Sequence, residues 1–338
     1  MMYTFPNKLR NLAIAFMVIG FLGLAYGFIT APSTIEEAKA MVASSHGDGH
    51  GESHDAAPAD SHGEETSHAI SESHETSSEE HGTTSHEEGH DTSHDEHLFH
   101  QLSNKPWAAL YVAAFFFFMI SLGVLAFYGI QRAAQAGWSP VLYRVMEGIT
   151  GYLLPGGIIV IVILALSGMH FNHLFIWMDP EIVAHDKLIA GKTGFLNLPF
   201  FLSRAVFFLT GWSLYRYFSR KFSLAQDEAN DISNHKKNFR ISAAFLVFYI
   251  VTESIMSWDW IMSIDPHWFS TLFGWYVFAS MFVSGITAIA LVTIYLKSKG
   301  YLEFVNDSHI HDLGKFMFGI SVFLDLFMVF TIHAHLVF

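Results

Sequence analysis

The sequence predicts an all-α polytopic membrane protein carrying one polar insert, and three observations lead there. Hydrophobic residues make up 51% of the chain, yet its formal net charge is −13. That charge is local: residues 46–100 hold fifteen of the 31 acidic residues and no Lys or Arg, which leaves 18 basic against 16 acidic residues elsewhere. Seven apolar stretches outside this insert reach the roughly 17–25 residues that a spanning helix needs. In lipid, only a helix satisfies its own backbone without closing a barrel. The chain has no Cys, which excludes disulfides, thiolate metal sites, Cys-ligated iron–sulfur clusters and thioether-bound haem.

The first stretch, Asn11–Thr30, follows Lys8 and Arg10. It is longer than the ~7–15 residues of a signal-peptide core, and no clean A-x-A site follows, so residues 1–30 are expected to be an uncleaved anchor. Residues 31–106 differ in kind. Between 46 and 100 they hold twelve histidines among Glu, Asp, Ser, Thr and Gly. Such a composition buries no core, and a disordered loop is expected. Two readings of the loop stand. It is a loose metal collector, with His86, His90 and His94 as ligands, or a solvated linker whose imidazoles buffer near pH 6.5.

Six further spans are expected: Trp107–Ile130, Gly148–Gly168, Phe195–Tyr217, Ile241–Ser263, Phe273–Leu296 and Phe316–Phe338. Pro155, Gly156 and Gly157 should kink the second of these. With the N-terminus in the cytoplasm, thirteen Lys and Arg fall inside and four (Lys39, Lys105, Lys187 and Lys192) outside, Arg204 lying within a span. The positive-inside rule then fixes the topology, with the insert on the periplasmic side.

Charges inside such spans are costly and mark function or a fixed ion pair. Arg204 and Glu253 lie at matching distances from the outer ends of consecutive antiparallel helices, so they are expected to pair. Asp259 lies six residues beyond Glu253 and on another face, either on a polar path or held at the membrane interface. Asp265, Pro266 and His267 form a turn in which His267 is a proton acceptor or Asp265 a cap. Glu147 opens a span, where the helix dipole alone favours a carboxylate. His170 and His173 have the spacing of one helical face. Asp179 belongs to a run, Trp177 to Glu181, that starts an interfacial helix. Trp258, Trp260, Trp268 and Trp275 are expected as an interfacial aromatic belt.

The run TESIMSWDWIMSIDPHWFSTLFGWY, Thr252–Tyr276, resembles the signature of the NrfD/PsrC-like membrane subunits of bacterial alternative complex III. The insert after the first span and the Trp177–Pro180 loop resemble the second such subunit, the F type. The resemblance covers most of residues 1–323 outside the insert. It implies a subunit of a quinol:cytochrome c oxidoreductase, with menaquinol or another quinol as substrate. Haem c and iron–sulfur clusters would reside on partners: a related C subunit, an iron–sulfur protein, and multihaem and monohaem cytochromes. It also implies NrfD-like bundles, ten spans in all, of which this chain supplies seven. Residues 107–263 would be the first four-helix bundle and 264–338 the start of the second. The roles implied for Arg204, Glu253, Asp259, Asp265, His267 and Glu147 are a proton path or a quinol pocket.

The resemblance stops at residue 323. From Leu324 the tail departs from the pattern FWTYLWFSQFMLIWY, which a one-nucleotide change of frame at Phe323 and Leu324 restores. Residues 324–338 are therefore expected to be a frameshift product, and Asp325, His333 and His335 receive no role. Two other functions compete. A divalent-cation transporter would use the His-rich loop as collector, although Arg204 would repel its cargo. A purely structural anchor would tolerate loss of Glu253.

Overall fold

The apolar runs become long helices. The computed structural model describes residues 6–47 and 87–337, with side chains over 6–44 and 99–330. Among these residues it is all-helical. The long elements are α1 (Asn7–Thr30), α2 (Ile35–Gly47) and α3 (Glu87–Ala133). After α4 (Tyr143–Ile149) and α5 (Leu153–Gly168) come two short pieces, α6 (Pro180–His185) and α7 (Lys187–Ala190). The chain continues through α8 (Leu198–Glu228), α9 (Ser233–Trp260), α10 (Phe273–Ser298) and α11 (Asp307–Val337). Two compact units divide it: Met1–Phe28 with Pro106–Phe338, and Ile29–Lys105.

Among the described residues, six segments are long and apolar enough to cross a membrane: Asn7–Thr30, Phe99–Ala133, Ser139–Gly168, Ser233–Ile264, Phe273–Ser298 and Asp307–Phe330. This fits an all-α polytopic membrane protein. The seventh expected span lies in α8, which is helical as anticipated but falls outside the six. Its Arg204 and its Ser, Trp and Tyr residues dilute the apolar content.

Most of the His-rich run 46–100, His86 included, lies outside the described residues. His90 and His94 fall on the backbone of α3, with side chains outside the description, as are those of His333 and His335. The expected disorder of 31–106 does not extend over its described ends, which are helical at Ile35–Gly47 and from Glu87 onward. The first is built of helix formers and closed by a cap: Glu37 N donates to Thr34 Oγ1 at 3.3 Å, and Ser33 N to Glu37 Oε2 at 2.8 Å.

In the larger unit, α8 lies antiparallel to α9 and against α5. Their buried positions recur at three and four residues: Phe201, Ala205, Phe208, Trp212, Tyr215 and Ser219 on α8, and Ser242, Phe245, Tyr249, Thr252, Met256 and Asp259 on α9. That spacing gives one continuous stripe per helix. Tyr111 Oη donates to Trp260 O at 2.7 Å and Ser121 Oγ to Ile149 O at 3.3 Å, tying α3 to α9 and to the α4–α5 segment. Trp260 is fully buried among Phe115, Phe118 and Trp212. It is a core residue rather than a member of the expected interfacial belt, because its rings complete the aromatic centre that α3 and α8 bring in.

Helix α5 runs unbroken through Pro155–Gly157, and the irregular backbone lies one turn earlier. Residues Thr150–Tyr152 tighten to a 3₁₀ segment, and α5 starts at Leu153. Pro155 has no N–H for the carbonyl four residues back, and its ring crowds that carbonyl. Beyond residue 264, α10 packs against α9, α4 and α11. It also meets α3 backbone to backbone. A Cβ at Gly123 would strike the Met281 carbonyl, and one at Gly285 would lie 2.9 Å from Val124 N. Small residues at such crossings let helices approach without a hydrophobic drive.

Candidate functional site

Polar side chains tie α8 to α9 along most of their shared length. Trp212 Nε1 donates to Thr252 Oγ1 at 3.0 Å, Tyr215 Oη bonds Ser242 Oγ at 2.8 Å, and Asn238 Nδ2 donates to Ser219 O at 3.0 Å. The register of this antiparallel pair places Arg204 opposite Asp259. Arg204 Nε donates to Asp259 Oδ2 at 2.7 Å and Nη2 to Oδ1 at 2.8 Å, a bidentate pair. Both terminal nitrogens of the guanidinium also reach Phe195 O at 3.2 Å. The rings of Phe195 and Phe200 lie 4.0 and 4.2 Å from its carbon. Asp259 is 0% exposed and Arg204 8%.

The expected pairing of Arg204 with Glu253 does not occur. Helical side chains lean toward the N-terminus of their own helix. On antiparallel α8 and α9 those directions are opposite, so Arg204 leans toward residue 259 while Glu253 leans away. Matching depths of Cα atoms, counted from helix ends, ignored this lean. Glu253 is 2% exposed, and its Oε1 has no hydrogen-bond partner. One turn earlier, the buried Tyr249 donates to Met281 Sδ at 3.4 Å. Asp259, which could have been an interfacial carboxylate, is an interior counter-ion.

At the same end of α9 two loops are clasped together. His267 Nε2 lies 2.5 Å from Asp186 Oδ2, and His267 Nδ1 lies 3.6 Å from Asp265 Oδ1. Asp265 Oδ1 also accepts from His267 N at 3.2 Å, so Asp265 shapes the turn. Asp186 caps α7 by accepting from Leu188 N and Ile189 N. The hydrogen bond from His267, reinforced by those two amides, holds the Asp186 carboxyl below the usual aspartate range. Lys192 Nζ donates to Pro266 O across the same gap. Beneath the clasp lies a cavity of about 380 Å³, lined by Lys192, Phe195, Trp258, Met262, Trp268 and Phe269. Trp258 Nε1 is buried without an acceptor.

His170 and His173 do not share a helical face. Helix α5 ends at Gly168, Met169 caps it, and His170 turns left-handed with φ of 60°. Asp179 starts α6, accepting from Glu181 N at 2.9 Å, as the Trp177–Glu181 run suggested. Trp177 is buried, with Nε1 lacking an acceptor.

The opposite end of the bundle holds a second polar network. Glu147 lies inside α4 rather than opening a helix, so the dipole account fails for it. It is 6% exposed and accepts from Arg144 Nη1 at 2.6 Å and from Tyr128 Oη at 3.1 Å. Arg132 Nη2 lies 3.8 Å from it. Arg132 Nε donates to Tyr128 Oη at 3.1 Å and its Nη2 to Ser223 Oγ at 2.9 Å, with its carbon 4.0 Å from the Tyr143 ring. Arg144 also binds Asp227. Among the described residues, no three His, Asp or Glu side chains converge as a metal set would.

Comparison with known protein families and with curated proteins finds no match.

Proposed function

We propose that this chain is an integral membrane subunit of a quinol-oxidising, electron-acceptor-reducing complex of the alternative complex III type, and that α8 and α9 handle protons in it. The observation that carries the reading is Glu253. A carboxyl 2% exposed, with one oxygen unpartnered, stands between a buried bidentate pair and a buried Glu147 network. An acid in an apolar helix without a counter-ion is costly to bury, and its chemistry suits it to hold a proton in transit. Arg204 and Asp259 fix the field at one end, and Tyr128, Arg132 and Glu147 at the other. The Thr252–Tyr276 run is similar to the family signature and supports the redox setting. The cavity beneath the Asp186–His267 clasp supports contact with an aromatic, acceptor-bearing molecule such as a quinol headgroup, since its donors are Trp258 and Lys192. In this reading, which rests on the resemblance, haem c and iron–sulfur groups reside on partner subunits, and the absence of Cys from this chain fits that assignment.

In this reading α8 crosses the membrane as well, with the N-terminus cytoplasmic and the Asp265 end periplasmic. The test is purification from native membranes with subunit and haem analysis, followed by reconstitution of the complex in vesicles. Glu253→Gln should preserve assembly and lower proton movement per quinol oxidised. Unchanged proton movement would leave the structural-anchor reading in its place.

A further inference from the structure

The seam between α4 and α8 holds more positive charge than the protein neutralises. Arg132, Arg144, Arg216 and Arg220 gather there, and two carboxylates, Glu147 and Asp227, answer them. Both are taken by Arg144, with Arg132 beside Glu147. Arg216 and Arg220, one helical turn apart on α8, have no carboxylate within ion-pair range among the described residues. Like charges at that spacing repel, yet Arg216 is held half-buried, its Nε donating to Thr150 Oγ1 at 3.3 Å.

The opposing surface is bare. Arg144, Gly148 and Gly151 recur at helical spacing. A Cβ at Gly151 would meet Arg216 Nη2 at 3.5 Å, and one at Gly148 would meet nothing within 4 Å. Above this opening, Leu154 and Ile158 of α5 and Tyr217 of α8 are exposed apolar side chains. A cationic pair under an apolar strip has the polarity of an anionic amphiphile. A soluble anion would have no use for the strip.

We infer that Arg216 and Arg220 bind the phosphate of an anionic glycerophospholipid, whose acyl chains lie along the exposed faces of α5 and α8. The guanidiniums supply the forked donors that phosphate oxygens accept. Gly148 and Gly151 leave room for the glycerol and phosphate. The site is independent of quinol chemistry and uses none of the residues placed on the proton path.

The test uses the full-length protein from native membranes, with its partners where they co-purify. Native mass spectrometry should find phosphatidylglycerol or another anionic phospholipid retained. Added phosphatidylglycerol should raise the melting temperature, whereas phosphatidylcholine and inorganic phosphate should not. The double variant Arg216→Gln/Arg220→Gln should bind phosphatidylglycerol roughly thirtyfold more weakly, and the double lysine variant should recover most of that loss. Equal stabilisation by phosphatidylcholine would overturn the role of charge. Equal protection by inorganic phosphate would make the site one for soluble anions. If the glutamine variant does not fold, the three-ligand comparison on the wild-type protein decides alone.

Discussion

Replacing Asp259 by Asn removes one charge from the most buried ion pair while keeping its shape. At 2.7 Å and an effective dielectric of about 20, the attraction between Arg204 and Asp259 is about 6 kcal/mol. Taking both ions out of water costs several kcal/mol each, so the intact pair contributes little net stability. The single variant is different. Arg204, 8% exposed, keeps its desolvation cost and loses its counter-ion, with one neutral amide oxygen, Phe195 O and two rings left. The expected loss is ~3–5 kcal/mol. Replacing both residues, Arg204→Met with Asp259→Leu, should return stability to within about 1 kcal/mol of the native protein or above it. The assay is reversible unfolding in detergent of the native protein and these two variants, followed by helical circular dichroism. A loss below about 1 kcal/mol for Asp259→Asn, the range of solvent-exposed pairs, would refute the buried-pair account.

Three other outcomes are expected. Gly123→Ala drives a Cβ into the Met281 carbonyl. It should cost about 1–3 kcal/mol in reversible unfolding in detergent. Tyr128→Phe removes the hydroxyl between Glu147 and Arg132 and should cost ~1.5–3 kcal/mol by the same unfolding measurement. The third concerns acid. Because the folded-state value of Asp186 lies below that of an unfolded aspartate, its bonds contribute fully above about pH 3.9 and are lost as pH falls through the depressed value. Hydrogen exchange at the Leu188 and Ile189 amides, corrected for intrinsic rate, should accelerate only as pH falls below about 3.9. In Asp186→Asn it should lose that pH dependence.

Length and apolarity were enough to read the helices of the larger unit from the chain, since each backbone must satisfy itself wherever lipid is the solvent. What they could not supply was register. Arg204 was recognisable as a buried cation in need of an acid. Choosing between Glu253 and Asp259 required the lean of helical side chains and the cross-ties Trp212–Thr252 and Tyr215–Ser242, which pair residues far apart in sequence. Glu147 looked like a dipole partner because the start of α4, set by the preceding 3₁₀ turn at Ser139–Leu142, is hidden in an apolar run. Asp186 lay in plain view ahead of Lys187 and Leu188, a spacing that signals a helix cap. Its bond to His267, 81 residues away, leaves no trace in local pattern. Trp260 was misplaced for a similar reason: a tryptophan near the end of an apolar run has the same signature whether it faces an interface or a core.

The contact between Gly123 and the α10 backbone has a mechanical consequence. Where two helices touch through their main chains there is no side chain to compress, so the point of contact acts as a fulcrum. The contact blocks any closer approach of the two helices there. One arm leads to the Asp265–Phe269 turn that closes the clasp onto Asp186. The other leads to Gly300 and the start of α11. A rigid tilt of α10 about that point would move its clasp end and its α11 end in opposite directions.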